Sequence, residues 1–148
     1  MAAFPDNEPD VYNHYLPLGW TVDNLTPPQV DVSQWSNAVT AYSYTSTAGT
    51  NPQQVKMGSS GLLAALLFNT NANFDRYIRF YDIGMVPTAG TGTPKKTVVI
   101  PRGGMALIAS QGGETFTSGI GFTITGGSGD SDVTPIFAND VLVYIGHS

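Results

Sequence analysis

The chain has no cysteine among its 148 residues. Disulfide staples, a thiol nucleophile and a cysteine-ligated zinc site are therefore excluded. Glutamate occurs only at Glu8 and Glu114, and lysine only at Lys56, Lys95 and Lys96. Coiled coils and helical bundles draw heavily on both residues, so neither architecture fits. Six cations stand against eleven anions, a formal net charge of −5. That balance lacks the basic face of a nucleic-acid binder and disfavours an anionic membrane surface as a partner. Long apolar runs are missing too. The longest, Leu62 to Phe68, is far too short to span a bilayer. Met1 to Glu8 is acidic with no apolar stretch after it, which predicts synthesis in a cytoplasm without a secretory leader.

What is present points to strands. Glycine, serine, threonine and asparagine together exceed a third of the chain, while 41% of residues are apolar and 11% aromatic. The apolar share excludes disorder throughout. A chain of this mass, folded whole, exposes roughly 7,300 Å² against roughly 23,000 Å² when open, enough burial for one core and not for two.

Residues 1–35 differ from the rest. They hold Pro5, Pro9, Pro17, Pro27 and Pro28, and their charged residues (Asp6, Glu8, Asp10, Asp23 and Asp31) are all acidic. Proline fixes φ and removes a donor, so neither a helix nor a central strand fits. Tyr12, Tyr15, Leu16, Leu18, Trp20, Val22 and Leu25 are too apolar for a solvated tail. The expectation is an extended arm that docks on a surface, its own or a neighbour's, with a reach on the order of 100 Å.

From Trp35 onward the pattern is β. Asn37 to Thr47 places Ala38, Thr40, Tyr42 and Tyr44 on one face. Gln53 to Met57 reads as a short strand after the Asn51-Pro52 turn. Leu62 to Asn69 fits a buried helix by propensity and a buried strand by length and flanking turns. Phe74 to Ile83 alternates, with Phe74, Arg76, Ile78 and Phe80 on one side and Asp75, Tyr77, Arg79 and Tyr81 on the other. Pro87 to Pro94 is a loop and Lys96 to Ile100 a strand. Pro101 to Gly104 turns into Met105 to Ser110, and Gln111-Gly112-Gly113 predicts a further turn. Ile120 to Thr125 alternates, Gly126 to Ser131 is a loop, and Val141 to Ile145 reads as a central strand. Short strands at short spacing with glycine-rich turns predict an antiparallel β-sandwich, jelly-roll-like.

Candidate chemistry is sparse. Gly58-Ser59-Ser60-Gly61 has the outward form of a phosphate loop but is followed by Leu62 where lysine is needed. Asp130 and Asp132 offer oxygen ligands for a cation such as Ca²⁺, or bond the local backbone of a polar turn. His14 and His147 lie near the termini, poor places to hold a catalytic imidazole rigidly. Lys95, Lys96 and Arg102 flank one strand, either as solvated cations or as a patch for an acidic partner. Arg76 and Arg79 among Tyr77 and Tyr81 suit an interface, where arginine and tyrosine are enriched, or lie exposed along a sheet. Trp20, Trp35, Tyr42 and Tyr44 suit stacking on sugar rings or core packing.

A wider pattern joins these segments. It runs from Gly61-Leu62-Leu63 to Phe68-Asn69-Thr70-Asn71, through Arg76 to Asp82, Val86 to Pro94, and Ile100-Pro101-Arg102-Gly103-Gly104. It continues through Gly119 to Gly127 with Asp130, Asp132, Thr134 and Asn139-Asp140-Val141. Over these residues the chain resembles small tailed-bacteriophage virion structural proteins. The resemblance implies a β-sandwich component of the particle, most often a capsid decoration or cement protein, with no enzyme activity, cofactor or metal. It also favours a strand at Leu62 to Asn69. The resulting expectation is an arm over residues 1–35 and a β-sandwich over 36–148, forming a homotrimer on the capsid surface of the virion after synthesis in the host cytoplasm. It would bind the major capsid protein of the assembled head and bridge its subunits, with no nucleic acid or membrane partner. The expected interface residues are Tyr12, Tyr15, Leu18, Trp20 and Trp35 in the arm, and Arg76, Tyr77, Arg79 and Tyr81 in the strand at 74–83. The alternative is a tail-associated or receptor-binding β-sandwich module that recognises host surface glycans through aromatic side chains.

Overall fold

Segments that alternate apolar and polar residues between turn signals become strands, and strands with one apolar face need a second sheet to cover it. The computed structural model describes residues 39–148, and these contain eight strands and no helix. They are β1 (Thr40–Thr45), β2 (Gln53–Met57), β3 (Ser60–Asn69), β4 (Arg76–Asp82), β5 (Lys96–Ile100), β6 (Met105–Phe116), β7 (Gly119–Thr125) and β8 (Val141–His147). Two four-stranded antiparallel sheets result, in the orders β1-β8-β3-β6 and β2-β7-β4-β5. The β-sandwich expectation is therefore met. The pairs β1–β8, β2–β7, β3–β6 and β4–β5 are those of one long hairpin doubled over and wound into a jelly roll. The expected arm lies outside the described residues.

The inward residues of the two sheets interleave. Leu62, Leu67, Val141, Val143 and Ile145 come from the first sheet, and Ile78, Phe80, Ile120, Phe122 and Ile124 from the second. Phe122 is the hub of the aromatic packing, with Tyr42, Tyr44 and Phe80 edge-on to its ring at centroid separations of 5.7–6.2 Å. Tyr42 and Tyr44 are thus partly buried against the core, and their hydroxyls donate to Gln53 on β2 and to Asn51 in the loop before it. Leu62 to Asn69 is a strand, and β8 is central in its sheet.

One turn expectation is corrected. Gln111-Gly112-Gly113 does not reverse the chain but lies inside β6. There β3 advances from Leu62 to Ala64 while β6 runs from Glu114 back to Ala109, so β6 carries a wide bulge. Gly112 and Gly113 sit at φ 80° and 83°, which only glycine adopts easily. The same dipeptide serves a turn or a bulge, and the long-range pairing with β3 selects the bulge.

Candidate docking surface

The two sheets treat their outward faces differently. On the second sheet, Tyr77, Arg79 and Tyr81 of β4 stand beside Thr123 and Thr125 of β7. The β4–β5 and β7–β8 loops cover this face. Pro87 packs on Gly121, and Gly90 meets Ser131 and Val133 of the other loop. Arg79 has 0% exposure. Its guanidinium donates to the Thr125 hydroxyl and to the carbonyls of Gly127 and Gly129, so the glycine loop supplies acceptors in place of a carboxylate. Arg79 Nε, Tyr81 Oη and Thr123 Oγ1 are buried there without a protein hydrogen-bond partner.

Arg76 is also buried, and its Nε and Nη2 donate to Asp140 Oδ2 at 2.9 and 2.6 Å. Phe74 and Phe137 flank the guanidinium, with ring centroids 5.4 and 6.0 Å away. These positions correct the exposure assumed for the strand at 74–83. Arg76, Arg79 and Tyr81 are enclosed by their own domain, and Tyr77 alone of the four is half-buried. The alternation held, but the adjoining β4–β5 loop and the distant β7–β8 loop cover its outward side. Tyr12, Tyr15, Leu18, Trp20 and Trp35 lie outside the described residues.

The remaining polar candidates serve the fold. Asp132 accepts from the N–H groups of Gly127 and Thr134 and from the Thr134 hydroxyl. Burial works to raise its pKa, but hydrogen bonds from Thr134, Thr125 and Gly127 outweigh it and hold the carboxyl below its ordinary value. The polar-turn role describes Asp132, and among the described residues no three metal-ligating side chains gather. Lys96 pairs with Glu114 at 2.6 Å, and Lys95 lies over the Phe116 ring and 3.9 Å from Asp82. Lys95 and Lys96 thus have anionic or aromatic neighbours within the domain, while Arg102 is exposed.

The outward face of the β1-β8-β3-β6 sheet has no comparable cover among the described residues. Its register lays the side chains in three rows across all four strands. The first row is Ala41, Gly146, Ala64 and Ala109. The second is Ser43, Tyr144, Leu66 and Leu107, and the third is Thr45, Leu142, Phe68 and Met105. None is charged. Leu107 is 66% exposed, Met105 51% and Tyr144 48%. The small first row and the flank of the second frame a cleft of about 330 Å³. The Phe68 and Tyr144 rings meet edge-on at 6.2 Å and stiffen the tall side. Burial first, and then the neighbouring Tyr44, push the Tyr42 hydroxyl above its ordinary pKa. The signal for this face was present in Leu62 to Phe68, which is apolar on both sides of the strand. A two-layer sandwich needs only one such side.

No family model matches the chain, and no curated protein matches it. Among solved structures it is similar to the hydroquinone 1,2-dioxygenase from Sphingomonas sp. TTNP3 with 4-hydroxybenzoate bound, at a TM-score of 0.32 and 9% identity, over 75% of this chain. The chain spans 60% of that structure's length.

Proposed function

We propose that this protein works by association and not by turnover, as a bacteriophage capsid decoration protein that binds the major capsid protein on the assembled head and bridges its subunits. The observation that carries the reading is the uncharged apolar face of the β1-β8-β3-β6 sheet. Faces of that size and character mark protein contacts, and permanent contacts are the most depleted in charge. The jelly roll is compatible with a capsid role and does not select it, since the same architecture hosts lectins and cupins. A protein that binds only the assembled shell stabilises the shell by mass action. Several linked copies add avidity, so that weak single contacts hold firmly. Tyr42 and Tyr44 are partly buried with their rings turned to Phe122, which disfavours the glycan-binding alternative at these two positions.

The test is the copy number in purified particles by quantitative mass spectrometry. Decoration of a symmetric shell predicts on the order of hundreds of copies per particle. A dozen or fewer, or a location confined to the tail, overturns the reading.

A further inference from the structure

We infer that the outward face of the β1-β8-β3-β6 sheet packs against the same face of a second copy of this chain. The three rows supply the reason. Side chains are small along the first row, Ala41, Gly146, Ala64 and Ala109, and larger along the third, Thr45, Leu142, Phe68 and Met105. A two-fold axis lying in the interface, parallel to the sheet and along the middle row, reverses that order in the second copy. Phe68 then lies over Ala64 of the second copy, Leu142 over its Gly146, and Met105 over its Ala109. Tall side chains meet short ones at each end, and the middle row meets itself. A surface that is self-complementary under a two-fold axis is the requirement for an isologous contact.

Charge and area agree with this occupant. The five acidic residues of 1–35 account for the net −5, so residues 36–148, with six cations and six anions, carry no net charge to oppose a second copy. This face carries no charged side chain. Strands about 4.8 Å apart and outward residues about 6.8 Å apart along each strand give a plane of roughly 19 by 20 Å. With side-chain relief, a face-to-face pair buries on the order of 1,000 Å², the threshold that a biological interface has to clear. Stacked apolar sheet faces also repeat the geometry that already forms the interior of the sandwich.

This contact replaces β4 as the self-association surface, because Arg76, Arg79 and Tyr81 are enclosed within their own domain. It rests on the same face that carries the capsid reading and gives that face to self-contact, leaving the other surfaces of the pair to meet the head. A two-chain protein that ignores heads would overturn the capsid reading alone, and a single-chain protein that coats heads would overturn this inference alone.

The experiment is light scattering with size-exclusion chromatography on the full chain at micromolar concentration, for the parent and two variants. The parent is expected at the mass of two chains. Leu107→Glu puts a charge into the middle row and is expected to weaken association by about tenfold or more. Ala64→Phe adds apolar surface but fills the hollow, and is expected to dissociate the pair as well. Thermal melting and near-ultraviolet dichroism confirm that both variants fold. A single-chain mass for the parent overturns the proposal. So does an unchanged mass for folded Leu107→Glu, or stronger association of Ala64→Phe, which would indicate adhesion without shape.

Discussion

At the scale of single residues, two carboxylates carry unequal loads. Asp140 neutralises the buried Arg76 and also accepts the Phe137 N–H at 3.2 Å. Asp140→Asn preserves the shape and strands a guanidinium in the interior, a change that costs about 3–5 kcal/mol. Urea denaturation reads this loss directly. Asp82 ties the end of β4 to the β6–β7 turn, accepting the N–H groups of Thr117 at 2.9 Å and Ser118 at 2.7 Å. Those two bonds, in that order, lower its pKa from 3.8 to about 2. Because the folded value lies below the unfolded one, the stabilisation is complete above about pH 4 and fades as pH falls toward 2. Asn at this position offers one acceptor where two N–H groups converge. Asp82→Asn is therefore expected to be less stable at pH 7 and to show a flatter acid limb between pH 4 and 2 in a melting-temperature series.

At the scale of elements, glycine decides where strands approach. Gly119 opens β7 at φ 147°, and a Cβ there would meet the carbonyl oxygens of Lys56 and Ile83 at 2.5 and 2.6 Å. The Gln54 side chain donates to the same two carbonyls, so β2, β7 and the end of β4 are stitched at one point. Gly119→Ala is expected to force both carbonyls aside and cost at least about 2 kcal/mol, within the range of strained backbone substitutions. A matched substitution at Gly129, where a Cβ meets nothing within 4 Å, provides the control in the same denaturation assay. The period-two pattern of Arg76 to Tyr81 and the apolar Val141 to Ile145 were legible as strands because side-chain alternation is a local property. The burial of Arg79 was not, since its covering carbonyls come 48 and 50 residues later. The β6 bulge was illegible for the same reason.

At the scale of the whole molecule, the described strands follow one pairing rule, in which the first is joined to the last. Among them only β4–β5 joins strands consecutive in sequence, while β1–β8 brings Thr40 to His147. Sequence alone indicated two covered faces on Leu62 to Phe68, but what covers the second depends on which strands become neighbours, and that is a property of the closed sheet. Long loop closures make such topologies slow to fold. The apolar face is completed only when β8 inserts Tyr144 between Ser43 and Leu66. Because β8 lies between β1 and β3, loss of that one strand would strip β1 of its neighbour and cut the surface down to the β3–β6 pair.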